Sequence, residues 1–133
     1  MSTVLVCGGR NFGMKWDSSR MIFIINQEER DLLFRVLTNL HAQCEFTKLI
    51  HGAARGADTL AEHWALAHGI AVRPYPADWQ SFGRRAGFMR NEQMFTDGKP
   101  ELVVAFKGNS GTHNMIAIAR QGGCRVITPG WKD

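Results

Sequence analysis

Three stretches concentrate the residues able to do chemistry, and each sets glycines beside a cationic or hydroxyl side chain. They are Gly8-Gly9-Arg10-Asn11-Phe12-Gly13, His51-Gly52-Ala53-Ala54-Arg55-Gly56-Ala57-Asp58 and Lys107-Gly108-Asn109-Ser110-Gly111-Thr112. Glycine lets a backbone come close to a ligand. A helix opening just after such a loop offers unpaired N–H groups and a partial positive charge, both of which suit phosphate. Arg10, Arg55 and Lys107 add full charges, while Ser110 and Thr112 add hydroxyl donors. The chemistry implied is the holding of a phosphate-bearing ligand. The plainer reading of any one loop is a tight turn between a strand and a helix, so the weight lies in there being three. A fourth polar stretch, Ala77-Asp78-Trp79-Gln80-Ser81-Phe82-Gly83, carries two large aromatics that either stack on a base or plug the surface.

The first loop lacks the GxGxxG spacing of a dinucleotide fingerprint, and the third lacks the Gly-Lys-Ser/Thr of a P-loop. Three cysteines, Cys7, Cys44 and Cys124, lie far apart and show no metal-ligand spacing. No zinc site, other metal site, disulfide framework or bound cofactor is therefore expected. Asp58 is the carboxylate nearest the loops, at a helix N-terminus where such a group complements the dipole or caps the turn.

The elements that position these loops alternate. Apolar runs at Thr3–Cys7, Lys48–His51, Ala71–Tyr75, Glu101–Phe106 and Arg125–Thr128 read as strands. Asn26 reads as the N-cap of a helix running to about Gln43, with Leu32, Leu33, Val36, Leu37 and Leu40 as its apolar stripe. Further helices are expected from Ala57 to His68 with Gly69 beyond the end, from Arg84 to Asp97 closed by Gly98, and through Met115, Ile116 and Ala119 to Gly122-Gly123. In the third of these four, Arg90-Asn91 borders the apolar face. Met14 to Ile25 leaves three readings open: a helix start, an extra hairpin or a subunit contact.

This alternation gives an α/β class with a mainly parallel five-stranded sheet and helices on both faces, in three layers. In such a sheet every strand-to-helix loop emerges at the same edge, so the three glycine loops share a face. With 133 residues the chain has room for one domain, taken as 1–133. Its net charge of +4 fits an anionic partner without deciding between nucleotide and nucleic acid. The longest strongly apolar run, Met21–Ile25, is too short to cross a bilayer, and no basic segment followed by a long apolar stretch opens the chain. The expectation is a cytoplasmic protein with no membrane partner.

Val6-Cys7-Gly8-Gly9-Arg10-Asn11-Phe12, His51-Gly52-Ala53-Ala54-Arg55-Gly56-Ala57-Asp58, Pro76-Ala77-Asp78-Trp79, Ala86-Gly87-Phe88-Met89-Arg90-Asn91 and Phe106-Lys107-Gly108-Asn109-Ser110-Gly111-Thr112 together resemble the motif series of the YspA/cpYpsA-related branch of the SLOG superfamily. The resemblance covers nearly the whole chain, apart from the longer Met14–Ile25 segment. It implies a Rossmann-like fold and binding of a nucleotide or nucleotide-derived ligand, in a sensor or processing role linked to conflict or stress systems. The related LOG phosphoribohydrolases, which cleave an N-glycosidic bond in nucleoside monophosphates, carry a catalytic Glu where this chain has Met115. Methionine is neither acid, base nor ion-pair partner, so that mechanism does not transfer, although Arg90 resembles an arginine of those enzymes.

The expected ligand-binding set is Gly8, Gly9, Arg10, Phe12, Gly52, Ala53, Arg55, Gly56, Ala57, Asp58, Asp78, Trp79, Arg90, Asn91, Gly108, Ser110, Gly111 and Thr112, with no catalytic residue assigned. A nucleotide-like small molecule, ADP-ribose or NAD-like or a nucleoside phosphate, is the expected partner. Two alternatives stand beside it. One is glycosidic-bond cleavage or transfer on nucleoside phosphates, with Asp58 or Asp78 as the carboxylate. The other is single-stranded nucleic-acid binding through Arg84, Arg85 and Arg90 with Trp79 and Phe82. A homo-oligomer is also compatible with the sequence.

Overall fold

The computed structural model describes residues 2–131. Its apolar runs become strands Ser2–Cys7 (β1), Phe46–His51 (β4), Ala71–Pro74 (β5), Leu102–Ala105 (β6) and Arg125–Ile127 (β7). They form one sheet in the order β5-β4-β1-β6-β7, and every pairing is parallel. β1 is central because it pairs on both edges, with β4 through Val4↔Leu49 and with β6 through Val4↔Leu102.

A strand sends successive side chains to opposite faces, and β1 does so into two separate cores. Val4 and Val6 join Leu33, Leu37, Leu49, Leu60 and Trp64. Leu5 and Cys7 join Ile50, Met94, Val103, Met115 and Ala119. The first core is covered by helices Gln27–Cys44 (α1) and Ala57–Ala67 (α2), the second by Ala86–Gly98 (α4) and Ser110–Gln121 (α5). The result is the three-layer α/β architecture expected.

Local chemistry sets most helix ends where the residue types predict. Asn26 Oδ1 accepts the Glu29 N–H at 3.2 Å, capping α1. Beyond α2, Gly69 takes φ +68°, a left-handed value that glycine adopts without the cost a Cβ brings. The helix read from Arg84 onward is instead broken. Asp78 caps a single turn, Trp79–Phe82 (α3), by accepting the Ser81 N–H at 3.1 Å. A 3₁₀ turn over Gly83–Arg85 follows, and α4 begins only at Ala86. Nor does Gly98 supply the left-handed stop: it is the last residue of α4, and Lys99 takes the left-handed position at φ +47°. Gly98 is small for packing, since a Cβ there would strike the Ile50 side chain.

Of the three readings open for Met14–Ile25, the hairpin forms. Met14–Asp17 (β2) pairs antiparallel with Ile22–Ile25 (β3), placing Trp16 opposite Phe23 with ring centroids 5.2 Å apart, edge to face. Asp17 Oδ1 organises the turn by accepting the Ser19 N–H at 3.0 Å and the Ser19 hydroxyl at 2.6 Å. Trp16 and Phe23 nonetheless stay about half exposed, at 50% and 46%.

These environments predict a contrast in stability. Leu37→Ala, at a fully buried position of α1, should cost about 2–5 kcal/mol in denaturant unfolding. Trp16→Ser on the hairpin should cost about 1 kcal/mol or less.

Candidate functional site

From β1 the chain builds outward through β4 to β5, then returns to β6 on the other side of β1. The boundary between β1 and β6 is therefore where the winding reverses, the place where open α/β sheets leave a crevice. The loops after β1, β4 and β6 meet there at backbone distance. Gly9 N–H donates to the Lys107 carbonyl at 3.0 Å, and Ala57 N–H to the Gly9 carbonyl at 3.3 Å. A Cβ on Gly8 would lie 2.6 Å from the Ala57 Cβ, one on Gly56 would strike the Gly9 and Arg10 carbonyls, and one on Gly108 would strike Thr112. Gly56 also holds φ +81° as the N-cap of α2.

A cleft of about 700 Å³ opens over this junction. Of the residues singled out from the sequence, Gly8, Gly9, Arg10, Phe12, Gly52, Arg55, Asp58, Trp79, Arg90, Asn91, Gly108, Ser110, Gly111 and Thr112 line it. An adjoining hollow of about 610 Å³ shares Arg10, Gly52, Arg55, Trp79 and Arg90 with the cleft and adds Ala53. Gly56, Ala57 and Asp78 line neither: the first two hold the loops together from behind, and Asp78 is spent on capping α3.

The loops differ in what their amides can offer, which corrects the expectation that all three present them alike. In the second loop the amides are turned inward. Asp58 Oδ2 accepts from Gly52 N–H at 3.1 Å and from Ala54 N–H at 3.2 Å. His51 Nδ1 accepts from Ala53 N–H at 2.9 Å, which places the ring hydrogen on Nε2, 2.8 Å from Glu62 Oε1. These bonds hold Ala53 at φ +60°, a left-handed value unusual for a residue with a Cβ. Asp58 is thus neither a helix cap nor a free carboxylate; it folds back to brace its own loop. In the third loop, by contrast, Asn109 is the N-cap of α5 and places no side chain on the first turn. The first-turn residues Ser110, Gly111 and Thr112 all border the cleft.

Arg90 reaches from α4 across to the second loop. Its Nη1 donates to the Gly52 carbonyl and, at 3.5 Å, to that of Tyr75, while Nε donates to Asn91 Oδ1 at 3.0 Å. Burial pulls the guanidinium pKa down, and Asp58 works against that pull. Asn91 is buried, with Nδ2 donating to the Gly111 carbonyl at 3.1 Å and to Asn114 Oδ1 at 3.0 Å. It therefore ties α4 to α5 and aligns the helix N-terminus. Burial also pushes the Cys7 thiol, at the cleft floor, well above its ordinary pKa, so it stays a neutral thiol.

Trp79 stands about half exposed at the mouth, with the Arg10 guanidinium 5.2 Å from its ring centroid. Gly87 makes room for it: a Cβ there would lie 3.1 Å from the indole edge. Gly87, Phe88, Asn11, Met14 and Glu29 also line the cleft but were not assigned to it from the sequence. For Glu29 a signal existed in its spacing. It lies three residues after the N-cap Asn26, the position whose side chain reaches back past a helix start. Here it reaches Gly13 N–H, 2.9 Å from Oε1. Among the described residues no three His, Cys, Asp or Glu side chains gather to hold a metal. No helix among them is long and apolar enough to cross a membrane.

Comparison with known proteins agrees with this architecture. The family model described as YAcAr, the YspA, cpYpsA-related SLOG family, matches residues 2–82. The Gene 61 protein of Mycobacterium phage D29 is 37% identical over 90 residues, covering 63% of this chain and 72% of that protein. Among solved structures, the X-ray structure of TM1055 superposes with a TM-score of 0.70 over 95% of this chain and 72% of that one. At 21% identity that likeness speaks for the Rossmann-like fold.

The Asp58 environment carries a pH prediction. Burial raises its carboxyl pKa from the ordinary value to about 6, despite the opposing amide bonds. The folded protein therefore holds this proton more tightly than the unfolded chain. The stabilisation is complete below the ordinary carboxylate pKa and is lost as pH rises through about 6. Asp58→Asn should flatten that part of the stability profile, by on the order of 2–3 kcal/mol between about pH 4 and pH 7. Denaturant unfolding of both proteins across that range checks it.

Proposed function

The chain belongs to the YspA/cpYpsA-related SLOG family, and from that premise we propose that it binds a nucleotide or nucleotide-derived ligand in the cleft over β1 and β6. What carries this reading is the N-terminus of α5, uncapped by any side chain and facing the same cleft as Arg10, Arg90 and Lys107. Amide donors at a helix start, with cations around them, form a phosphate site. Trp79 at the mouth is the surface for a base, and Arg10, now lying over its ring, is free to turn to phosphate when a base takes its place.

The adjoining hollow extends the reading. Because it shares Arg10, Arg55 and Arg90 with the main cleft, a ligand with two ends joined through phosphates fits better than a single nucleoside phosphate. ADP-ribose and NAD-like molecules have that form. A sensing role suits the site better than glycosidic cleavage. Asp58 spends its Oδ2 on two backbone amides, and Met115 is buried among apolar side chains.

Thermal unfolding with AMP, ADP, ADP-ribose and NAD tests the proposal. A ligand at a hundred times its Kd should stabilise the protein by about 2.7 kcal/mol. Arg10→Ala should weaken ADP-ribose binding about tenfold or more, while leaving unliganded stability within about 0.5 kcal/mol. If no nucleotide shifts the transition at millimolar concentration, the assignment is wrong.

A further inference from the structure

We propose that Glu29 makes the cleft selective for ribonucleotides with a free ribose hydroxyl pair and turns away their 2′-phosphorylated forms; this rests on the nucleotide reading above. The cleft wall is strongly cationic, through Arg10, Arg55, Arg84, Arg90 and Lys107, and its acidic members are Asp58 and Glu29. Asp58 is buried and braces the second loop. Glu29 is different. It enters from the start of α1, half-buried, and is held in place at two points. Its own N–H is bound by Asn26 Oδ1 at 3.2 Å, and its Oε1 accepts from Gly13 N–H at 2.9 Å.

Oε2 takes no partner among the described residues, and no ion pair among them involves Glu29. The adjacent cation, Arg30, does not pair with it: its Nε donates to the carbonyl of the same Gly13 at 3.1 Å and its Nη2 lies 3.6 Å from Met14 Sδ. A fixed carboxylate oxygen in an otherwise cationic cleft can only accept hydrogen bonds. It favours a neutral donor and repels an anion.

The direction of approach says which part of a nucleotide meets it. α1 covers one face of the sheet and α5 the other, so Glu29 and the phosphate-binding start of α5 reach the cleft from opposite sides. With phosphate against Ser110–Thr112, the next neutral donors along the ligand are the hydroxyls of the nucleoside ribose. A phosphate on the 2′-oxygen would bring a dianion against the carboxylate.

Calorimetric titration of ADP-ribose and 2′-phospho-ADP-ribose into the wild type and Glu29→Gln tests this. Glutamine keeps an Oε1 for Gly13 N–H while it removes the charge and turns the Oε2 acceptor into an amide donor, so the fold should hold, as thermal unfolding will show. The wild type should bind ADP-ribose at least about tenfold more tightly than its 2′-phosphorylated form, and the ratio should fall to about threefold or less in Glu29→Gln. An unchanged ratio, or a uniform loss of affinity for both ligands such as a contact with the base amino group would give, overturns the role of Glu29 and leaves nucleotide binding standing. If the wild type binds neither molecule, the parent reading falls and this one with it.

Discussion

The site depends on three backbone turns approaching more closely than side chains allow. Gly8 lies against the Ala57 Cβ, Gly56 against the carbonyls of Gly9 and Arg10, and Gly108 against the Gly9 nitrogen. Two amide hydrogen bonds, Gly9 to Lys107 and Ala57 to Gly9, lock the approach. A methyl group at any of the three positions would push apart loops that belong to different strand–helix units. The cleft is thus set by the absence of side chains at its base. Of the charged residues above it, Arg90 is tied to the Gly52 carbonyl, whereas Arg10 lies over the Trp79 ring.

A second layer of organisation is polar. His51, Asp58, Arg90 and Asn91 form a chain of contacts running from α2 through the second loop to α4 and on to α5. Each has at least one backbone group among its partners. Buried polar networks of this kind fix geometry when every member is satisfied, and among the described residues no buried side-chain nitrogen or oxygen lacks a partner. The second loop, with its glycines, Arg55 and Asp58, therefore serves as a brace. The third loop, poorer in charge, keeps its helix start open. Anion affinity is set by which donors remain uncommitted, and composition does not reveal that.

This explains how far the sequence could be read. Five apolar runs, the Asn26 cap and the spacing of glycine loops depend on local rules, so the parallel sheet and the shared edge were legible in advance. The inward turn of Asp58 was not, because a carboxylate at the second position of a helix satisfies the dipole equally well whether or not it folds back. The break between α3 and α4 was missed for a related reason. Arg84 and Arg85 are good helix formers, but Gly83 at φ +57° and the capped turn before it dominate locally. Glu29 was not singled out, because its reach to Gly13 is a contact 16 residues away in sequence.

The hairpin leaves and rejoins the body at one point. Asn26 N–H donates to the Gly13 carbonyl at 2.9 Å, so the residues before and after the excursion already touch. A shorter bridge between them could close without moving β1, α1 or the loop bases. Beyond Met14, which borders the cleft, that stretch of chain is therefore an appendage whose length and greasy surface the architecture beneath does not dictate.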